Sequence, residues 1–242
     1  MLDTQYRMHP SIAAFSSEAF YNGQLKDGTV LNGQVDPALH PPTTAFLLPD
    51  GESSKSLTFL NHDFPESPQN RSIANHHEAG RVCDIVADLL ASNPDLKGSD
   101  IGVIAPYSAQ IRLITEFLTI DERRQRAFRQ WLGHERAREI EDIEIRTVDG
   151  FEGREKAIII FSTVRSNTGG FLGFLGDWRR LNVGLTRAKR ALIMLGSLRT
   201  LSNGVPSATA LEKKGIPIDG TRVLKRFVAW LKKNDLVMED PA

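Results

Sequence analysis

Three short segments concentrate residues able to handle a polyphosphate. Gly184-Leu-Thr-Arg-Ala-Lys-Arg190 places Arg187 just ahead of an apolar run. A guanidinium offers a planar fork of donors and a permanent charge, which suits the charge that builds on a transferring γ-phosphoryl group. A basic residue at a helix end also answers the negative dipole terminus, and that explanation stands beside the first. In Asp149-Gly-Phe-Glu-Gly-Arg-Glu-Lys156, Gly150 and Gly153 bracket Glu152. A carboxylate near such a turn can accept hydrogen bonds from ribose hydroxyls; a turn with solvated charges has the same composition. Tyr6-Arg7 pairs an aromatic face that can stack a base with a guanidinium that reaches phosphate, although the dipeptide alone is common.

What is absent narrows these options. No G-x-x-x-x-G-K-[ST] phosphate loop occurs in the 242 residues, so the chain carries at most half of a nucleotide site. Leu118-Thr-Ile-Asp-Glu122 has the apolar-run-then-Asp-Glu form that holds Mg²⁺ in many ATPases, but it ends a helical pattern rather than a strand. His76 and His77 are helical neighbours pointing to different sides, and no metal site is expected. Gly170-Phe-Leu-Gly173-Phe-Leu-Gly176 lacks dinucleotide-fingerprint spacing and reads as a flexible loop, which argues against an oxidoreductase. Cys83 sits inside a helical pattern and reads as core.

The elements that must position these residues alternate between helix and strand, the pattern of an α/β fold with a mostly parallel sheet covered on both faces. Helical spacing is expected after Pro10 through Ile12, Phe15, Ala19 and Phe20, from Asn75 to Asn93-Pro94, and from Pro106-Tyr-Ser-Ala-Gln110 through Ile111, Ile114 and Leu118. A solvated helix is expected over 121–142, a helix over 179–189, and a last amphipathic helix carrying Val223, Phe227, Trp230 and Leu231. Strands are expected over Thr44–Leu48, Ile101–Ala105, 143–148, 157–164 and Ala191–Leu195. Residues 49–72, with three prolines among Ser, Asn and Asp, read as an irregular insertion. In parallel sheets ligands gather beyond the carboxyl ends of strands, where this map puts Tyr107, Thr147 to Glu155, Arg165 and the loop before Arg179.

Composition excludes some classes and permits others. One cysteine allows no intrachain disulfide and fits a reducing, intracellular compartment, cytoplasmic or nuclear. No apolar run approaches the ~20 residues of a membrane helix, so no membrane partner is expected. Net charge is zero, but residues 1–100 hold 6 basic against 13 acidic residues and residues 101–242 hold 24 against 17. A basic second part suits a polyanion; solvated helix faces explain the same charges.

Three long segments, in order, resemble motifs IV, V and VI of superfamily 1 helicases: Leu2-Asp-Thr-Gln-Tyr-Arg-Met-His-Pro10, Val148 to Lys156, and Arg179-Arg-Leu-Asn-Val-Gly-Leu-Thr-Arg-Ala-Lys189. They are most similar to branch B, which contains the nonsense-mediated decay RNA helicase, the DNA-replication helicase-nuclease and the immunoglobulin-switch-region relatives. Ile101 to Gln110 matches a further family segment. The resemblance implies a RecA-like P-loop NTPase fold, here the second of two such domains. Residues 1–200 would form that domain and 201–242 a C-terminal extension with one amphipathic helix.

The resemblance also implies roles. Tyr6 would stack on adenine and Arg7 would reach the γ-phosphate, with Gln5 beside them. Glu155, after Gly153, would contact the ribose, and Arg187 would act as arginine finger. Pro106, Tyr107, Gln110, Thr147, Thr163 and Arg165 would face single-stranded RNA or DNA through sequence-independent contacts. ATP with Mg²⁺ would lie against a first RecA-like domain, in cis or in trans, that supplies the phosphate loop and Mg²⁺-binding acids. The chain alone would then hydrolyse no ATP. The family usually has Gln where Glu152 stands and Asp where Ala157 stands, and Gly176-Asp-Trp178 replaces a common Asn-Asp-Pro. With motif IV beginning at Leu2, the sequence reads as a fragment of a helicase, a truncated gene product or half of a split assembly. The alternative is a catalytically degenerate nucleic-acid-binding module.

Overall fold

The computed structural model describes residues 3–205 and 220–240. Strands form where aliphatic and β-branched residues run together. β1 is Leu57–Asn61, β2 Ile101–Ala105, β3 Glu144–Thr147, β4 Lys156–Ser162, β5 Ala188–Gly196 and β6 Val237–Glu239. They make one sheet in the order β3-β2-β4-β5-β1-β6, and every pairing within it is parallel. Further two-stranded ladders lie outside it, among them Thr4–Gln5 with Lys26–Asp27.

The principal helices are α1 Pro10–Phe20, α2 His76–Ser92, α3 Ser108–Thr115, α4 Glu122–Leu132, α5 Trp178–Leu185 and α6 Gly220–Lys233. Side chains alternate across a strand, so each central strand feeds two cores. Phe59, Ile159, Phe161, Leu192 and Met194 pack with Phe15 of α1, Leu181 and Leu185 of α5, and Phe227 and Leu231 of α6. Leu60, Ile158, Ile160, Ile193 and Leu195 pack on the other face with Val82, Val86 and Leu89 of α2, and with Phe128 of α4. The result is an α/β fold of three layers, consistent with a RecA-like domain.

Several expectations change. Thr44–Leu48 is not a strand: Thr44 gives its hydroxyl hydrogen to Asp88, Ala45 N–H donates to the same carboxylate at 3.0 Å, and the chain turns there. The strand lies instead inside the stretch read as an irregular insertion, where β1 pairs with β5 and β6. The segment 121–142 breaks at Gly133, whose φ is +79°, into α4, a short helix His134–Arg138 and a 3-10 turn, with Phe128, Ala137 and Ile140 buried. Beyond residue 200, α6 completes the first core and β6 extends the sheet, so these residues join the domain rather than append to it. Of that extension 206–219 and 241–242 lie outside the described residues, as does Leu2 of the first motif.

Candidate functional site

The amino ends of β4 and β5 carry one group of candidates. Gln5 organises it: its Oε1 accepts the backbone N–H groups of Arg7 at 2.9 Å and Met8 at 2.8 Å. Its Nε2 donates to Met8 O at 2.9 Å and to Asp27 Oδ1 at 2.7 Å. Gln5 is thereby spent on shaping the turn that carries Tyr6 and Arg7. The segment is anchored to β5 where His9 N–H donates to Lys189 O at 2.8 Å. The Tyr6 ring lies against Gly28, where a Cβ would fall 2.1 Å from it. Its outer face is bare, and the residue is 77% exposed.

Arg7 reaches across to the loop before β4, donating through Nε to Glu155 and through Nη1 to Thr186 O at 3.1 Å. The other Glu155 oxygen meets Lys189 Nζ at 2.7 Å. Hydrogen bonds from Lys189 and then Arg7 hold the Glu155 carboxyl below its usual range. Gly153, with φ +79°, makes the turn that brings Glu155 to this place.

Arg187 lies past the end of α5, not within it. Thr186 closes that helix, with its N–H and hydroxyl both donating to Asn182 O, at 3.1 and 2.8 Å. Arg187 Nε donates to Val183 O at 3.1 Å and Nη1 to Arg154 O at 3.4 Å. Burial, then the Arg7 charge, lowers its pKa from the usual arginine value, while Glu152 and Glu155 act the other way. No described carboxylate hydrogen-bonds it. A half-buried guanidinium held by carbonyls and crowded by Arg7 gains from any anion brought against it. Lys156 N–H donates to Arg187 O at 3.1 Å, so Glu155 and Arg187 flank a single backbone bond.

The second group lies at the opposite, carboxyl end of the sheet. Expecting Glu155 there was wrong, because the loop after β3 runs back along the edge to the start of β4, where Arg154 pairs with Glu144 at 2.6 Å. Tyr107, Gln110, Thr163 and Arg165 are all buried. The Tyr107 hydroxyl accepts from Arg165 Nη1 at 3.0 Å and donates to Leu172 O at 3.3 Å. Arg165 also pairs with Glu66 at 2.9 Å. Gln110 bonds Asn75 N–H, Asn75 O and Ser162 Oγ. These side chains hold the chain in place and do not present themselves to a strand in this conformation. Pro106 and Thr147 are half-buried, and Thr147 Oγ1 accepts from Gly150 N–H at 3.2 Å. Thr163 Oγ1 is buried without a partner.

Two features here escaped sequence reasoning. One is a buried acid, Glu78, whose Oε1 lies 3.0 Å from His62 Nε2 and whose Oε2 accepts from Ser162 Oγ and Val164 N–H. Val164 has φ +71°, a strained conformation for a β-branched residue. Glu78 three residues after the cap Asn75 was the available signal. The other is a pair of exposed rings, Phe171 and Phe174, in the segment read as a plain loop.

No group of three His, Cys, Asp or Glu suited to a metal ion occurs among the described residues. Burial pushes the Cys83 thiol up to about 12. No described helix is long and apolar enough to cross a membrane. A cavity of about 730 Å³ lies nearby, lined by His9, His40, Ser56 and Trp230 among others; none of Tyr6, Arg7, Glu155 or Arg187 lines it.

A family profile described as an AAA domain matches residues 1–199. "Helicase sen1" of Schizosaccharomyces pombe is 36% identical over 206 residues, taking in 83% of this chain and 11% of the relative. "Regulator of nonsense transcripts 1 homolog" of Arabidopsis thaliana is 36% identical over 203 residues, 83% of this chain and 15% of the relative. "DNA replication ATP-dependent helicase/nuclease DNA2" of Mus musculus is 34% identical over 233 residues, 87% of this chain and 20% of the relative. The chain thus spans less than a quarter of the length of these curated relatives.

Proposed function

The chain belongs to the AAA-domain family of superfamily 1 helicases, and from that premise we propose that it is a second motor domain forming one wall of an interdomain ATP site. Tyr6 stacks on adenine, Glu155 meets the ribose, Arg7 reaches the γ-phosphate, and Arg187 stabilises the charge of the transferring group. A first RecA-like domain, in cis or in trans, supplies the phosphate loop and the acids that hold Mg²⁺. The carboxyl end of the sheet faces single-stranded RNA or DNA.

The observation that supports this proposal is the meeting of Arg7 and Lys189 on Glu155, beside the bare Tyr6 ring and a half-buried Arg187 that no described carboxylate hydrogen-bonds. Arg7, Arg187 and Lys189 against the carboxylates of Glu155 and Glu152 leave positive charge that a triphosphate neutralises. Nucleotide entry exchanges the Arg7–Glu155 bond for an Arg7–phosphate bond and frees the acid for a hydroxyl. The wall and the strand-facing end lie at opposite ends of β4 and β5. Closure around ATP then shifts a surface the nucleotide never touches.

Irradiating a two-domain protein that contains this chain with an azido-adenine analogue of ATP tests the proposal. Label is expected on the Tyr6 segment, competed by ATP. Label confined to the cavity lined by His40 and Trp230 would contradict it. One observation favours a degenerate binding module instead: the Glu152 carboxylate acts on Arg187 and would repel a triphosphate brought there. Steeply salt-dependent strand binding with no ATP-competed label would select that alternative.

A further inference from the structure

The segment Gly169-Gly-Phe-Leu-Gly-Phe-Leu-Gly176 is built to hold two phenylalanines in water. Leu172 and Leu175 are buried at 1% and 2% exposure, while Phe171 and Phe174 are 61% and 48% exposed. A chain free to choose would hide the larger aromatic side chains. Here the backbone forbids it. Gly170 has φ +67° and Gly173 φ +54°, and a Cβ at Gly173 would fall 2.4 Å from the Tyr107 hydroxyl. Asn167 latches the loop by donating to Phe171 O at 3.1 Å and accepting from Phe171 N–H at 2.9 Å. Val205 N–H donates to Gly170 O at 2.9 Å. Phe174 N–H donates to the Tyr107 hydroxyl at 3.3 Å, and the two rings meet edge to face at 5.4 Å.

The surroundings select the occupant. The Phe171 ring packs back on Gly169, where a Cβ would lie 2.4 Å from it, leaving the opposite face bare as Gly28 does for Tyr6. The guanidinium of Arg180 lies 4.7 Å above the Phe174 ring, held there by Asp149 at 2.9 Å. That of Arg179 lies 5.6 Å from the Trp178 ring. The exposed Phe171 ring, with Phe174 beside it under an arginine, suits a ligand made of flat rings on a phosphate chain. The loop joins β4 to α5 at the carboxyl end, away from the nucleotide wall.

We propose that Phe171, with Phe174 beside it, is a stacking platform for the unpaired bases of a single strand, a role resting on the motor-domain assignment above. The platform takes over the contact that buried Tyr107 does not make, and Tyr107 instead supports it from beneath. Stacking on a π-face is tolerant of base identity, so the platform adds affinity without sequence preference.

The test compares a labelled oligothymidylate of about 12 nucleotides, within the range such surfaces cover, with an abasic strand of equal length. Anisotropy is read for the parent chain, Phe171→Ala and Phe171→Trp. Phe171→Ala is expected to weaken oligothymidylate binding about tenfold, leave the abasic strand unchanged, and lose nothing as Phe171→Trp. Phe171 is mostly exposed, so the alanine variant folds, as its circular dichroism would verify. Unchanged oligothymidylate binding by Phe171→Ala, or an equal loss on both strands, would overturn the platform while leaving the motor-domain assignment standing. Binding of neither strand by the parent chain would overturn both.

Discussion

Arg7 donates its Nε–H to the carboxylate of Glu155, 148 positions away along the chain. The bond staples the amino-terminal segment to the loop that opens β4. Lys189 takes the other Glu155 oxygen, and nearby Arg187 has its pKa lowered by burial first and then by the Arg7 charge, with Glu152 and Glu155 acting the other way. Charge of one sign gathered at a partly dried surface is costly unless an anion completes it. On the proposed function, a bound nucleotide supplies that anion.

Tyr6 contributes contact area rather than stability. In a two-domain protein containing this chain, Tyr6→Ala is expected to raise the KM for ATP about tenfold, the loss of one stacked base. The melting temperature should stay unchanged, because the ring is mostly exposed. Tyr6→Trp should keep the parent KM. Steady-state ATPase and a thermal melt of the same samples check both halves.

Glu78 holds the strained turn after β4 together. Its Oε2 accepts from Val164 N–H at 2.9 Å, Asn75 Nδ2 donates to Val164 O at 3.4 Å, and His62 faces its other oxygen. Glu78 and His62 side chains are fully buried. Glu78→Ala is expected to cost about 1–3 kcal/mol for each buried donor it leaves without an acceptor, Ser162 Oγ and Val164 N–H among them. Urea unfolding measures it as a lowered midpoint, and an unchanged midpoint would contradict this role.

Asp240 ties β6 to α2 by accepting from Arg81 and His77, and its own N–H donates to Asn61 O at 2.9 Å. Burial alone would raise its carboxyl, but hydrogen bonds from Arg81 and His77 outweigh burial and hold it below the usual range. A folded-state pKa below the unfolded value means the stabilisation is complete above the unfolded value of ~4 and is lost as pH falls through the folded one. The parent urea midpoint should therefore drop more steeply than that of Asp240→Asn as pH is lowered below about 4. Parallel curves would refute the linkage.

Periodicity made part of this fold legible. Helix α2 shows its Val82, Val86 and Leu89 stripe and its Asn75 start, and β2, β4 and β5 stand out as aliphatic runs between polar turns. Strand β1 did not, because five residues, Leu57-Thr-Phe-Leu-Asn61, sit among serines, prolines and aspartates whose composition reads as loop. Thr44–Leu48 misled for the opposite reason: its apolar residues follow a threonine that Asp88 captures. For the site, the motifs nominated candidate residues but not which end of the sheet each occupies. That depends on the path of the loop from β3 to β4, a tertiary property. Tyr107 shows the same gap, since nothing in Pro106-Tyr107 tells that Gly173 and Leu172 close over it.

If Arg187 is the arginine finger, ATP turnover depends on it. The measurement compares the 242-residue chain alone, the chain joined to a first RecA-like domain bearing a phosphate loop, and the joined form with Arg187→Ala. No turnover is expected from the chain alone, strand-stimulated turnover when joined, and a fall of about 10³-fold or more in kcat for Arg187→Ala with ATP affinity changed only slightly. Turnover by the lone chain, or a joined Arg187→Ala protein that turns over ATP like its parent, would contradict the proposed function.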